Sequence, residues 1–185
     1  MQRTPSQTVG PFFLDALIHA GDESAAQPAS AMATEIIVLE GVVADGEGNP
    51  VGDAFLEIFD PFAPNSGTHP NADHHIESAG FARAATLANG EFRFITHYPG
   101  AATDRQAPVA PHLEIMIFAR GLLKPLVTRV YFDGDAHNEQ DSVLNAVPAS
   151  RRATLMARRS PSANPSHWIF DIRLQGANET VFFDF

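Results

Sequence analysis

Short segments that alternate apolar with polar residues, or that are rich in β-branched residues, recur along most of this 185-residue chain. Turn-forming residues separate these segments, among them an acidic, glycine-rich run that ends at Pro50 and the pair Asn89-Gly90, which is typical of tight hairpin turns. The segments are 35–45, 53–60, 81–87, 91–98, 112–121, 126–133, 168–176 and 180–185. Many short strands with turns between them predict a mainly β fold, an antiparallel β-sandwich.

The first part of the chain lacks strand signals. Residues 1–13 are expected to form an extended N-terminal arm, because Pro5 and Pro11 each bias the preceding residue away from helical geometry. A short helix is predicted over 14–20. The small and polar residues of 21–34 predict a loop.

One helical insert is predicted over 141–159, inside the sandwich that spans 35–185. Pro148 suits the first position of a helix, where its missing N–H is not needed. Leu155 and Met156 would then supply the apolar face of this helix.

Composition excludes several classes of protein. The length fits a single domain over 1–185. The absence of cysteine excludes disulfides, zinc–thiolate sites, iron–sulfur clusters and thiol nucleophiles. A formal net charge of −10 argues against a nucleic-acid partner. No apolar run is long enough to cross a membrane, and the amino terminus has no apolar signal region, so a cytoplasmic protein is expected.

Histidines are the first candidates for a metal site. His112 opens an apolar segment, and Glu114 would share its face of a strand, so the two side chains could ligate iron, manganese or zinc. The alternative is a partly buried histidine beside a charged edge. His69, His74 and His75 fall in a loop rich in proline and asparagine, and we interpret them as incidental.

Arg120 is a candidate anion-binding residue. It closes a predicted strand just before a glycine, where its planar guanidinium could bind a carboxylate. The alternative is a surface arginine paired with one of the many acidic residues. Neither a nucleophile motif of the Gly-x-Ser-x-Gly type nor a glycine-rich phosphate loop is present in the sequence.

Several segments, taken in order, resemble the intradiol ring-cleavage dioxygenase family, and within it the alpha subunits of enzymes that act on 3,4-dihydroxybenzoate. The matching segments are 4–13, 53–60, 89–100, 110–122, 128–136, 143–159 and 170–185. The resemblance implies the β-sandwich of that family. It also implies the use of O₂ to cleave the aromatic ring between its two hydroxyl-bearing carbons, giving 3-carboxy-cis,cis-muconate.

The resemblance also implies that this chain lacks the metal site of the family. Catalytic members bind ferric iron through two tyrosines and two histidines. The first histidine position falls on His112, but the second falls on Glu114, and an upstream arginine position falls on Val109. One tyrosine position falls near Ala102 and the other lies within 61–80, which contains no tyrosine. The family pattern therefore implies an iron-free chain whose homologous beta subunit carries the ferric iron.

In that family the alpha subunit contributes residues to the mouth of the active site on the beta subunit. Matched to this sequence, the substrate-binding residues are Thr8, Gly10, Pro11 and Arg120. The implied ligands of the complex are an aromatic dihydroxy acid and O₂. A glycine lets backbone approach a planar ring closely, a proline fixes the direction of the arm, and an arginine favours an anionic substrate.

Two other classes of function stay open at the level of sequence. The chain could be a non-catalytic β-sandwich interaction module. It could also be a divergent stand-alone dioxygenase that holds a different metal with His112, Glu114 and a loop histidine.

Overall fold

A computed structural model describes residues 4–10, 12–24, 35–63, 69–70, 76–77, 80–100, 102–104, 107–161 and 166–184. Strands dominate these residues. In chain order, β1 to β13 are Ile36–Ala44, Phe55–Phe59, His69–Pro70, Ile76–Glu77, Phe81–Ala85, Glu91–His97, Ala102–Asp104, Ala107–Val109, His112–Phe118, Leu126–Phe132, Met156–Arg159, His167–Ile169 and Ile172–Arg173. The helices are α1 (Phe13–Leu17), α2 (Ser142–Ala146) and two 3₁₀ turns, Ala136–Gln140 and Arg152–Leu155.

Nine strands form one sheet that curls over a shared core. The path is β13-β1-β12-β11-β10-β9-β2-β5, and β6 pairs with β1. Leu39 and Phe94 from one end of the path and Leu56 and Ile115 from the other are fully buried in the same apolar cluster. The predicted β-sandwich is confirmed. Three of the pairings, β1 with β12, β1 with β13 and β10 with β11, are parallel, which alternation within a segment cannot reveal.

The helical insert predicted over 141–159 is wrong over 148–159, where no α-helix forms. Pro148 lies in a turn, Arg152–Leu155 is a 3₁₀ turn, and Met156–Arg159 is strand β11 between β10 and β12. Ala157 is fully buried, and its carbonyl accepts a hydrogen bond from the Asp133 amide at 2.9 Å. Sheet pairing therefore overrides the helix propensity of this segment.

Three other predicted elements differ in detail. The turn at Asn89-Gly90 forms, but β5 pairs with β2 and β6 pairs with β1, so the two strands that it joins are not a hairpin ladder. The segment 168–176 is divided into β12 and β13. Residues 180–184 form no strand. They are joined to the sheet by a bridge between Phe183 and Val127, by hydrogen bonds between Thr180 and Arg173, and by a hydrogen bond from the Thr128 hydroxyl to the Val181 carbonyl.

The amino-terminal helix is shorter than predicted. It spans Phe13–Leu17 instead of 14–20. Phe13 packs edge-on against Phe55 of β2, with ring centroids 5.6 Å apart, and lies 6.4 Å from Phe118 of β9. These contacts hold α1 against the outer face of the sheet. In the part of the chain that is described, no helix is long and apolar enough to cross a membrane.

Candidate functional site

The N-terminal arm is fixed to the turn that carries Arg120. The Thr8 hydroxyl accepts a hydrogen bond from the Gly121 amide at 2.8 Å and donates one to the Ala119 carbonyl at 3.3 Å. Gly121 has a φ of 90°, which favours glycine and turns the chain after β9. One hydroxyl therefore binds the backbone on both sides of Arg120.

A cleft with a volume of about 250 Å³ lies between the arm, α1 and the start of β2. Its lining combines aromatic and aliphatic side chains with one cation and one carboxylate: Val9, Gly10, Phe13, Leu14, Asp53, Phe55 and Arg120. An apolar cavity of about 150 Å³ can hold benzene. The cleft therefore has room for one substituted aromatic ring.

Arg120 forms an ion pair at the rim of this cleft. Its Nε donates to Oδ2 of Asp53, while its side chain is 67% exposed. Among the described residues, the two Nη groups have no hydrogen-bond partner. This ion pair agrees with the alternative that Arg120 is a surface arginine paired with an acidic residue. It also leaves the Nη1–Nη2 edge of the guanidinium open to a second carboxylate.

Gly10 also lines the cleft. A Cβ atom built at this position would meet none of the described residues within 4 Å, so their packing does not require glycine there. The Gly10 carbonyl accepts a hydrogen bond from the Phe13 amide at 3.1 Å. The structure thus brings Thr8, Gly10 and Arg120 to one place, while Pro11 lies outside the described residues.

His112 is buried at the start of β9, with 2% of its surface exposed. Its Nδ1 lies 2.8 Å from the Ala110 carbonyl, and its ring packs against Phe62 and Tyr131. Nε2 has no hydrogen-bond partner in the described part of the chain. Burial lowers the pKa of His112, so we assign a neutral imidazole with the proton on Nδ1.

Glu114 lies on the same face as His112, as predicted, but it is already paired. Its Oε1 accepts a hydrogen bond from Nη2 of Arg129 on β10 at 3.2 Å. Among the described residues, no group of three His, Cys, Asp or Glu side chains could hold a metal ion. His74, His75 and the side chain of His69 lie outside that set.

The two tyrosines of the chain are hydrogen-bonded to carboxylates. Tyr98 donates to Asp135 at 3.0 Å, and burial raises its pKa. Tyr131 donates to Asp141 at 3.2 Å, and burial raises its pKa to about 12. Both phenol hydroxyls are therefore already engaged by carboxylates of this chain.

A larger groove of about 580 Å³ lies elsewhere, between β1, β5 and β6. It contains none of the predicted site residues. Four carboxylates and two arginines line its rim: Glu23, Glu40, Glu91, Asp171, Arg83 and Arg93. Arg83 is also paired with Glu57 at 2.8 Å, so the acidic rim disfavours an anionic ligand.

The fold and the sequence together define the class of protein. A family model described as "Dioxygenase" matches residues 8–176, which include the last part of the arm, His112 and Arg120. This match covers well over half of the chain. The chain belongs to the intradiol dioxygenase family.

Particular relatives sharpen this assignment. The chain is 40% identical to the protocatechuate 3,4-dioxygenase alpha chain of Burkholderia cepacia, over 100% of this chain and 98% of that one. Identity to the alpha chain of Pseudomonas putida is 38%, with the same coverage. The beta chain of the Burkholderia cepacia enzyme matches at 31% identity over 79% of this chain and 67% of that one.

Solved structures support the fold alone. The dioxygenase domain of a carbohydrate-binding fusion protein from Streptomyces sp. SirexAA-E superposes with a TM-score of 0.59 at 23% identity, over 95% of this chain and 100% of that one. Catechol 1,2-dioxygenase from Acinetobacter radioresistens gives a TM-score of 0.62 at 15% identity. The match covers 81% of this chain but only 55% of that enzyme.

Proposed function

We propose that this chain is the iron-free alpha subunit of a protocatechuate 3,4-dioxygenase, a cytoplasmic alpha–beta complex that uses O₂ to convert 3,4-dihydroxybenzoate to 3-carboxy-cis,cis-muconate. One observation carries the proposal. Identity of 40% extends over the whole chain and over 98% of an alpha chain that bears this name. The partner is a homologous beta subunit, and a beta chain of the same name is itself similar to this chain.

The described residues of this chain do not fit the ferric iron of the family. His112 offers one nitrogen, but Glu114 is paired with Arg129. Tyr98 and Tyr131 are engaged by Asp135 and Asp141, and neither stands at a position that matches a tyrosine ligand of the family. We therefore place the iron on the beta subunit, where it would supply the oxygen chemistry.

The role of this chain is to shape the entrance to the active site on the beta subunit. Arg120 would attract the carboxylate of the substrate through its open guanidinium edge. Gly10 and Pro11 would let the arm lie close to the ring, since among the described residues none occupies the space beside Gly10. Thr8 would hold the arm against the Arg120 turn.

The surface of the arm supports a partner subunit. Phe12 is 79% exposed beside the cleft, although a phenylalanine is normally buried in a lone globular chain. Contact with a second subunit would bury it at about 25 cal/mol per Å². We expect the beta subunit to cover this region, next to the residues that shape the site.

One observation favours the stand-alone alternative. The buried Nε2 of His112 lacks a partner among the described residues, as an unoccupied metal ligand would. The pairing of Glu114 with Arg129 counts against it, because a metal would have to displace that arginine. Activity of this chain by itself, with a metal other than iron, would favour this alternative.

Oxygen uptake tests the proposal. We expect no uptake with 3,4-dihydroxybenzoate from this chain alone, and uptake with formation of 3-carboxy-cis,cis-muconate when it is co-purified with a beta subunit. Arg120→Ala should lower kcat/KM by about tenfold, the loss of a charge-assisted hydrogen bond. Lys124→Ala removes a nearby exposed cation and should not. If this chain did not bind the beta subunit and stayed monomeric, the result would instead favour the alternative of a non-catalytic interaction module.

A further inference from the structure

We propose that Asp53 is a positioning residue that orients Arg120 toward the carboxylate of the substrate. This inference rests on the proposed function. Asp53 is 67 positions away from Arg120, and nothing in the sequence pattern connects the two. In the structure it is the residue that binds the Arg120 guanidinium.

Asp53 is held on a rigid base. The next residue, Ala54, is fully buried, and its amide and carbonyl bond to Thr86 at 3.0 and 2.9 Å. The preceding Gly52 lies so close to Ala88 that an added Cβ would come within 2.9 Å of the Ala88 Cα and carbonyl oxygen. The position of the carboxylate is therefore set by the sheet, which is the arrangement that keeps a functional group precise.

The contact uses only one edge of the guanidinium. Asp53 binds Nε, while Nη1 and Nη2 have no hydrogen-bond partner among the described residues. Two parallel N–H groups on one edge match the two oxygens of a carboxylate. Asp53 thus fixes the plane of the guanidinium and leaves its Nη1–Nη2 edge open to the carboxylate of an aromatic acid.

The backbone of Arg120 is fixed as well. Thr8 bonds to Ala119 and Gly121 on either side of it. The arginine side chain is long and 67% exposed, so without Asp53 it would sample many rotamers. Exposed ion pairs usually contribute little to stability, so the pair is better explained by orientation than by stability of the fold.

The test compares how the alpha–beta complex binds two ligands, one with a carboxylate and one without. With Asp53→Ala, KM for 3,4-dihydroxybenzoate should rise by about fivefold, as expected for the loss of one exposed ion pair, with kcat changed less than KM. The inhibition constant of 1,2-dihydroxybenzene, which lacks the carboxylate, should stay within about twofold. In an Arg120→Ala background, Asp53→Ala should have no further effect. Asp53→Asn, which keeps an oxygen acceptor, should fall between Ala and wild type.

Glu57→Ala is the matched control, because it breaks the ion pair between Glu57 of β2 and Arg83 of β5, and neither residue lines the cleft. It should leave both constants unchanged. An unchanged or lower KM in Asp53→Ala, or equal losses for both ligands, would overturn the inference while leaving the proposed function intact. A wild-type complex that does not turn over 3,4-dihydroxybenzoate would contradict the proposed function itself.

Discussion

The Tyr131 hydroxyl donates a hydrogen bond to the carboxylate of Asp141 across 3.2 Å, and both side chains are buried. The same carboxylate accepts hydrogen bonds from the amides of Ala110 and Leu144, and so caps α2. A buried carboxylate with three donors joins β10, the segment before β9 and the helical insert.

Replacement of Asp141 by alanine should therefore destabilise the chain. It would leave the three donors unpaired in the interior, and we expect a loss of about 3 kcal/mol in the free energy of unfolding. Tyr131→Phe removes only one donor and should cost about 1 kcal/mol. Urea unfolding of both variants measures the difference, and a smaller loss for Asp141→Ala than for Tyr131→Phe would contradict this account.

The Thr8 anchor should be visible by hydrogen exchange. In Thr8→Val the Gly121 amide loses its acceptor and should exchange about fivefold faster, which corresponds to about 1 kcal/mol. Thr8→Ser keeps the hydroxyl and serves as the control. Equal exchange rates in all three proteins would mean that the arm is not held at this point.

Gly10 should matter only in the complex. Because a Cβ atom at this position meets no atom within 4 Å in the described part of the chain, Gly10→Val should change the stability of the isolated chain by no more than about 0.5 kcal/mol. In the complex it should lower kcat/KM for 3,4-dihydroxybenzoate by about tenfold, since the β-branched side chain enters the space reserved for the ring. Gly100→Val, at another open glycine, is the matched control. Full activity of the Gly10→Val complex would mean that the arm does not contribute to the active site.

His112 should make stability depend on pH. Burial lowers its pKa below 6.5, so the unfolded chain binds the proton more readily than the folded chain does. The contribution of neutral His112 is present above pH 6.5 and is lost as the pH falls below that value. His112→Asn keeps a donor for the Ala110 carbonyl and should lose less stability than wild type between about pH 8 and about pH 5. Comparison with wild type cancels the titration of Asp60, whose pKa is raised by burial. If the stability of wild type and of His112→Asn changed with pH in the same way, the assignment of a neutral, buried His112 would be contradicted.

Alternation within segments was sufficient to predict most strands, because one face of each strand is buried. In β1, for example, every second residue from Ile37 to Val43 is buried, while the residues that alternate with them are only partly buried. It was insufficient for β11, where residues with high helix propensity pair with two neighbouring strands. Strand pairing is a property of distant segments, and local sequence does not contain it.

The candidate site, too, could be predicted only in part from the sequence. Thr8, Gly10, Pro11 and Arg120 were predicted from the family resemblance. Gly10 and Arg120 line one cleft, Thr8 bonds to the turn that carries Arg120, and Pro11 lies outside the described residues. Asp53 was not predicted, because its relation to Arg120 exists only after β2 and β9 have paired. Asp141 had a local signal that was available in the sequence, since an aspartate directly before a helix is a common cap.

The measurement that tests the central claim most directly is the iron content and visible absorption of the separated chains. This chain, purified alone from cells supplied with iron, should carry no stoichiometric iron and should lack the absorption band of an iron–tyrosinate bond. The co-purified complex should show both, and they should stay with the beta subunit when the chains are separated. Stoichiometric ferric iron with that band in this chain alone would contradict the account.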